Sequence, residues 1–262
     1  MLLFFDIDGT LFDDRHQLPA SVRPAMDQAR QNGHSLFVNT GRTLCNMDHR
    51  LDGFPLDGWV MGCGTRIILH GKTLQSMEYS LRESMNLVGL LRSHRLPAVY
   101  ECDTGMYFDP EGTSHPALSH LMRFSEDHRI RREVSDRDPE FRIVKMLLFS
   151  ARPEPVQLFC AEAGRLGMPY TAIDRGQEAW EMVPSGYSKA GGIDRICLEL
   201  GRSAEDCMAF GDSSNDLSML LAVKYSIAMG NAPEDVKARC FHVTDRPEKD
   251  GIANAMRKFG II

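Results

Sequence analysis

A run of four apolar residues, Leu2-Leu3-Phe4-Phe5, opens the chain and stops at Asp6-Ile7-Asp8-Gly9-Thr10-Leu11. Apolar on both faces, the run predicts a short buried strand of the kind found at the centre of a parallel sheet. Gly9 then breaks it. Side chains alternate along a strand, so Asp6 and Asp8 project to the same side, about 7 Å apart. Two carboxylates at the tip of a buried strand are costly unless they are paired, coordinated or used. Taken alone, the stretch also reads as a capped strand end followed by a turn.

Three further polar clusters occupy equivalent places. Asn39-Thr40-Gly41-Arg42 follows a second apolar strand, Leu36-Phe37-Val38. Lys189 closes Gly186-Tyr187-Ser188-Lys189 just before a helix. Gly211-Asp212-Ser213-Ser214-Asn215-Asp216 follows a third strand, Met208-Ala209-Phe210. In an open parallel sheet, ligands bind outside the carboxyl ends of the strands. Four clusters scattered along the chain can therefore meet at one place.

The pattern between them is alternating. Val22, Ala25, Met26 and Ala29 fall at i, i+3, i+4, i+7, with Gly33 as C-cap, and predict a helix over 20–33. With the strands at 2–7 and 35–39 this makes a right-handed βαβ unit. A second helix is expected over 43–53, then short strands with Gly turns over 57–70. Toward the end, Ile193, Ile196, Cys197 and Leu200 repeat the helical spacing before Gly201. Ser203-Ala204-Glu205-Asp206 resembles a capping box for one short turn. Strand 207–211, helix 216–222, strand 225–229, helix 233–239, strand 241–243 and helix 250–259 complete an α/β alternation, which predicts a parallel sheet covered on both faces. The middle differs: helix 83–94, strands 98–102 and 106–108, helix 116–127, strand 142–149, helix 153–167, and strands 170–174 and 178–183. The tight turn Asp103-Thr104-Gly105 implies antiparallel pairing, hence an α+β insert with its own sheet. Residues 129–142 carry charges of both signs and read as a solvated loop.

Composition narrows the rest. A net charge of −6 gives no global attraction for nucleic acid or an anionic membrane. Seven scattered cysteines without a CxxC pair suit free thiols in a reducing cytoplasm. The N-terminal apolar run ends at Phe5, before a signal peptide could form, and no apolar stretch reaches the length of a membrane span. The nine histidines show no zinc-ligand spacing. Ser213 and Ser214 lack the GxSxG elbow of a hydrolase nucleophile. Cys63 has no partner His at a suggestive spacing and reads as packing.

Together, Asp6-Ile7-Asp8-Gly9-Thr10, Thr40-Gly41-Arg42, Lys189 and Gly211-Asp212-Ser213-Ser214-Asn215-Asp216 resemble the motifs of the haloacid dehalogenase superfamily of aspartyl-phosphate phosphatases. The long gap between the second and third motifs resembles its Cof-type branch, which carries a large α/β cap there. The resemblance covers roughly residues 1–80 and 184–262; the middle matches by length and pattern. It implies a Rossmann-like, doubly wound core over 1–80 and 184–262, with a specificity cap over 81–183 and hinges near 80 and 184. It further implies a Mg2+-dependent phosphatase acting on small phosphorylated metabolites, with sugar phosphates as the expected class.

By that resemblance Asp6 is the nucleophile and a metal ligand. The Asp8 backbone carbonyl and Asp212 are further ligands, with Asp216 supporting the metal. Thr40 and Gly41 bind phosphate, Asn215 orients its loop near it, and Lys189 neutralises charge and holds Asp6. Arg42 either binds substrate or pairs with a cap carboxylate. The Asp8 side chain would protonate the leaving oxygen, which calls for partial burial and a raised pKa. P-type ATPases have Thr at that position and the dehalogenases lack the acid, so Asp8 favours a phosphatase or a phosphomutase. A ligand-binding module without turnover is a third reading, disfavoured by the intact Asp6, Asp8, Lys189 and Asp212. The Asn-Gly pair common in Cof-type chains is replaced by Met61-Gly62-Cys63-Gly64. Glu101, Arg142 and Lys145 are candidates for the cap face. A monomer or weak homo-oligomer is expected.

Overall fold

The computed structural model describes all 262 residues, which group into two compact units. One comprises Met1–Gly41, Asp48–Gln75 and Ser188–Ile262; the other comprises Arg42–Met47 and Ser76–Tyr187. In chain order, the first stretch holds β1 (Leu2–Phe5), α1 (Val22–Gln31), β2 (Ser35–Asn39), β3 (Gly58–Met61), β4 (Arg66–Leu69) and β5 (Lys72–Ser76). The middle holds α2 (Leu81–His94), β6 (Ala98–Glu101), β7 (Met106–Phe108), α3 (Pro116–Asp127), β8 (Arg131–Glu133), β9 (Lys145–Phe149), α4 (Pro153–Arg165), β10 (Tyr170–Asp174) and β11 (Ala179–Pro184). The last stretch holds α5 (Lys189–Leu200), β12 (Cys207–Gly211), α6 (Leu217–Ala222), β13 (Tyr225–Ala228), α7 (Glu234–Lys237), β14 (His242–Val243) and α8 (Gly251–Lys258).

The first unit is built on an eight-stranded sheet in the order β14-β13-β12-β1-β2-β3-β4-β5. The six strands from β14 to β3 are parallel, and β4 turns back antiparallel on β3. Strand β1 is central and buried along its whole length, as its two-sided apolar run requires. Phe4 stacks on Phe37 and Phe5 on Phe210, each pair with ring centroids 4.9 Å apart. Full burial of each such ring contributes about 1.5–3 kcal/mol, so β1 is pinned in register with both neighbours. Phe4, Phe37 and Val60 share a core with Ile193 and Ile196 of α5 and with Met219 and Leu220 of α6. A Cβ at Gly192 would overlap the Val60 side chain, so glycine lets the first turn of α5 lie close against β3.

The second unit has a six-stranded sheet in the order β10-β11-β9-β6-β7-β8, antiparallel except for the parallel pair β7–β8. Alternation sorts its two faces. Tyr100, Met146, Leu148 and Met182 pack with Leu87 and Leu91 of α2 and with Val156 and Phe159 of α4. Val99, Met106, Phe108 and Phe149 form a smaller core with Leu118 of α3.

Two stretches differ from the sequence reading. Residues 43–53 form two short 3-10 turns, Leu44–Asn46 and His49–Leu51, instead of one helix. Met47 and Asp48 are extended between them, and the Asp48 carboxylate accepts from Arg50 N to start the second turn. A short acidic side chain bonding its own backbone competes here with helix propagation. Within the charged loop 129–142, Arg131–Glu133 is a strand, fully exposed at the sheet edge. Charge at an edge discourages pairing with another chain. Arg42–Met47 also groups with the second unit, although the sequence placed it with the first.

Candidate active site

Strand β1 ends by delivering Asp6. Its N–H continues the ladder to Phe210 O at 3.0 Å, and its side chain is only 7% exposed. Facing it is Lys189, the first residue of α5. The Ser188 side chain caps that helix by accepting from Gly191 N, and Asn39 at the end of β2 donates from Nδ2 to the Lys189 carbonyl at 2.9 Å. The Lys189 ammonium is 1% exposed and donates to Asp6 Oδ1 at 2.7 Å and to Asp216 Oδ1 at 2.6 Å. Two strand tips and a helix start thus converge on one buried cation.

The loop after β12 supplies the remaining acids. Asp216 Oδ2 accepts from the N–H groups of Asp212 and Ser213, both at 3.0 Å. Ser213 Oγ donates to Asn215 Oδ1 at 2.6 Å, so the serine is a loop hydrogen-bonder. Asp212 is reached from the opposite end of the chain. Thr10 Oγ1 donates to its Oδ1 at 3.4 Å, and Asn231 Nδ2 donates both to its Oδ2 at 3.3 Å and to Gly9 O at 2.9 Å. Gly9 has φ +76°, and a Cβ there would overlap the Asp212 carboxylate. The glycine that breaks β1 is therefore also what admits Asp212.

Three carboxylates face one lysine. Burial pushes the Asp6 carboxyl up to about 7, helped by Asp216 and opposed by Lys189. Burial, then Asp216 and Asp6, push Asp212 up to about 8. Lys189 is held above the usual lysine range because the two carboxylates outweigh its burial. One oxygen from each of Asp6, Asp212 and Asp216 lies within 4.8 Å of the others. An all-oxygen donor set carrying excess negative charge fits a hard divalent cation such as Mg2+.

The other residues singled out in the sequence are placed as follows. Thr40 is buried; its N–H donates to Val60 O at 2.8 Å and its carbonyl accepts from Cys63 N at 3.0 Å. Gly41 is the last residue of its segment in the first unit. Asn215 is buried in the Asp212 loop. Arg42, grouped with the second unit, donates from Nη1 to Asn46 O at 3.2 Å. The Asp8 side chain is 45% exposed, with its Oδ1 3.7 Å from His16 Nδ1. In the second unit Lys145 pairs with Glu101 at 3.2 Å, whereas Arg142 is apart from them, on the surface with Glu78 at 2.9 Å. Sequence reasoning gave no role to Asn39 and Thr10, although both lie in the clusters it picked out, and it missed Asn231. Asn231 had one local signal: it sits in Gly230-Asn231-Ala232, just past the end of β13, where the other site residues also lie relative to their strands.

A buried acid at the carboxyl tip of a central parallel strand is thus paired with a helix-borne lysine and set against two acids from a neighbouring strand loop, in a doubly wound α/β unit. Comparison identifies the group: residues 3–256 match the family model of haloacid dehalogenase-like hydrolases, and the chain belongs to that family. The Bacillus subtilis protein YkrA is 26% identical over 262 residues, covering 100% of this chain and 98% of its own. The HMP-PP phosphatase of Klebsiella pneumoniae is 28% identical over 250 residues, covering 92% of this chain and 88% of its own. Among solved structures, a sugar phosphatase of HAD subclass IIB is similar with a TM-score of 0.81 at 26% identity, covering 100% of this chain and 99% of that one.

Proposed function

We propose that the protein is a Mg2+-dependent phosphatase of the cytoplasm that hydrolyses small phosphorylated metabolites through a phosphorylated Asp6. The observation that carries this is the Asp6 carboxylate, buried at the tip of β1 and held at 2.7 Å by the Lys189 ammonium. The two kinds of named relative, an HMP-PP phosphatase and a sugar phosphatase, favour a small phosphorylated metabolite, and we take a sugar phosphate as the leading class. None of the helices is long and apolar enough to cross a membrane.

Asp6 Oδ attacks phosphorus while the bond to the leaving oxygen breaks. Lys189 fixes the carboxylate and offsets charge on the phosphoryl oxygens. Thr40, Gly41, Arg42 and Asn215 bind the phosphate. The Asp8 carboxyl protonates the leaving oxygen, then takes a proton from the water that cleaves the acyl phosphate, restoring Asp6. Asp6, Asp212, Asp216 and the Asp8 backbone carbonyl would hold Mg2+, which when bound lowers the repulsion between two anions.

Turnover of an aryl phosphate and of a panel of phosphorylated metabolites, with and without Mg2+, tests the reading. Free phosphate should appear mole for mole with released alcohol, and Asp6→Asn should lose on the order of 10⁴-fold or more in kcat. Full activity of Asp6→Asn, or no turnover of any phosphorylated compound, overturns it.

A further inference from the structure

We propose that His16 is a positioning residue for the Asp8 carboxyl, held in place by a clamp made of Asp48, Arg50 and Phe12. The proposal rests on the reading of Asp8 as the proton donor to the leaving group. His16 Nδ1 lies 3.7 Å from Asp8 Oδ1. Its side chain is 67% exposed, yet its backbone is firmly specified. Asp13 Oδ1 accepts from the N–H groups of Arg15 and Gln17, Asp13 N donates to Gln17 O, and His16 N donates to Asp13 O. This closed turn puts His16 at φ +54°, a conformation that a histidine adopts at a cost.

The base of the turn is fixed to the catalytic strand. Phe12 N donates to Ile7 O at 2.9 Å, and Phe12 forms a bridge with Asp8 itself. The apex is held from a segment more than thirty positions away: Arg50 Nη1 donates to the His16 carbonyl. Arg50 is in turn gripped by Asp48, which accepts from its Nε at 2.9 Å and its Nη2 at 2.7 Å, and its guanidinium lies 4.3 Å over the Phe12 ring. A bidentate, stacked arginine is a rigid device. Here it anchors a turn that carries His16 Nδ1 to 3.7 Å from Asp8 Oδ1. A general acid must keep its oxygen on the leaving atom, and hydrogen bonds that are long in the free enzyme tighten when substrate binds. An imidazole N–H at this place restricts the Asp8 carboxyl to the orientation that faces the substrate.

Leaving-group dependence separates this role from a purely structural one. An alkyl phosphate needs its oxygen protonated as the bond breaks, whereas p-nitrophenyl phosphate releases a stable anion and needs it far less. His16→Gly removes the side chain while suiting the left-handed backbone. It should lower the ratio of alkyl to aryl kcat by about tenfold or more, within the range of a general-acid contribution. His16→Asn, which tolerates the same φ and places an amide N–H near the Nδ1 position, should recover most of that ratio. Arg50→Met should reproduce the His16→Gly pattern, and the double variant should lose no more than His16→Gly alone. Asp8→Asn is the reference and should show the largest ratio change. Equal losses on both substrates, additive losses in the double variant, or an unchanged ratio in His16→Gly overturns the proposal while Asp8→Asn still discriminates. If Asp8→Asn itself does not discriminate, the assignment of Asp8 fails, and the role of His16 with it.

Discussion

Each unit buries a cluster of charges, and the two clusters are balanced differently. In the second unit, Lys145 pairs with Glu181 at 2.6 Å and with Glu101 at 3.2 Å, Arg175 pairs with Glu181 at 2.9 Å, and Thr43 donates to Glu101 at 3.2 Å. Two carboxylates there meet two cations. In the first unit, Asp6, Asp212 and Asp216 meet only Lys189. Buried ion pairs hold when their charges cancel and their hydrogen bonds are satisfied. The second cluster satisfies that condition from its own side chains, whereas the first, with all three acids ionised, is two positive charges short. The contrast leaves one cluster balanced within itself and the other short of positive charge, as the proposed function requires of a site that takes up a divalent ion.

Removing the lysine from each cluster puts the contrast under the greatest strain. Lys145→Met leaves Glu101 and Glu181 with a cation missing, and breaking a buried pair from one side costs about 3–5 kcal/mol. Adding Mg2+ should not restore this loss, whereas the double variant Lys145→Met/Glu101→Gln should recover part of it. Lys189→Met should also destabilise, but here Mg2+ should restore much of the loss, because the three acids can share it. Thermal unfolding of both variants with and without Mg2+ checks this. Equal rescue of the two would erase the distinction.

The next effect is a pH dependence with a definite sign. The Asp6 and Asp212 carboxyls stand at about 7 and about 8 in the folded protein, against an unfolded value near 4. Between those limits the folded state binds more protons than the unfolded state, so stability falls as pH rises from about 4 to about 8. Lys189 is protonated in both states across that window and does not contribute to the slope. A bound cation favours the ionised acids, so the stabilisation by Mg2+ should be larger at pH 8 than at pH 5. At a hundredfold excess over Kd, bound ligand is worth about 2.7 kcal/mol, a readable shift in Tm. Protein stripped with a chelator and melted at the two pH values provides the test. A Mg2+ shift that is the same at both, or larger at pH 5, would contradict the charge deficit.

The deficient cluster was the more legible of the two in the sequence. Its acids sit at strand tips, where a short apolar run meets Asp and Gly, and strand periodicity alone puts such residues at one edge of a parallel sheet. Lys189 and the Asp212 loop were found in the same way. What escaped was whatever depended on chain crossing. Asn231 donates to Gly9 across 222 positions, and Asn39 to Lys189 across 150, and nothing local pairs either with its partner. The balanced cluster was half seen. Glu101, Lys145 and Glu181 each drew notice separately, Glu181 as a hinge or core residue, but they and Arg175 come together only through the antiparallel register of β6, β9, β11 and β10. Local signals served where local bonds decide: the Ser203–Asp206 capping box forms as read. They failed over 43–53, where one helix was expected and Asp48 redirects the backbone.

Arg142 gives the smallest effect and the finest calibration. The sequence grouped it with Glu101 and Lys145, but its guanidinium is half exposed and pairs with Glu78 at the surface. Exposed pairs of this kind contribute about 0–1 kcal/mol, because water and salt screen them and two long side chains must be ordered. Arg142→Ala should therefore cost several times less than Lys145→Met, although both remove one cation from the same unit. Its cost should shrink further on raising the salt from about 0.05 M to about 0.5 M, over which the screening length shortens severalfold, while the Lys145→Met cost should hardly change. Urea titrations of the two variants at both salt concentrations make the comparison. A salt-insensitive loss at Arg142 as large as that at Lys145 would mean that position in the fold, rather than burial of the charge, sets the energetics of this unit.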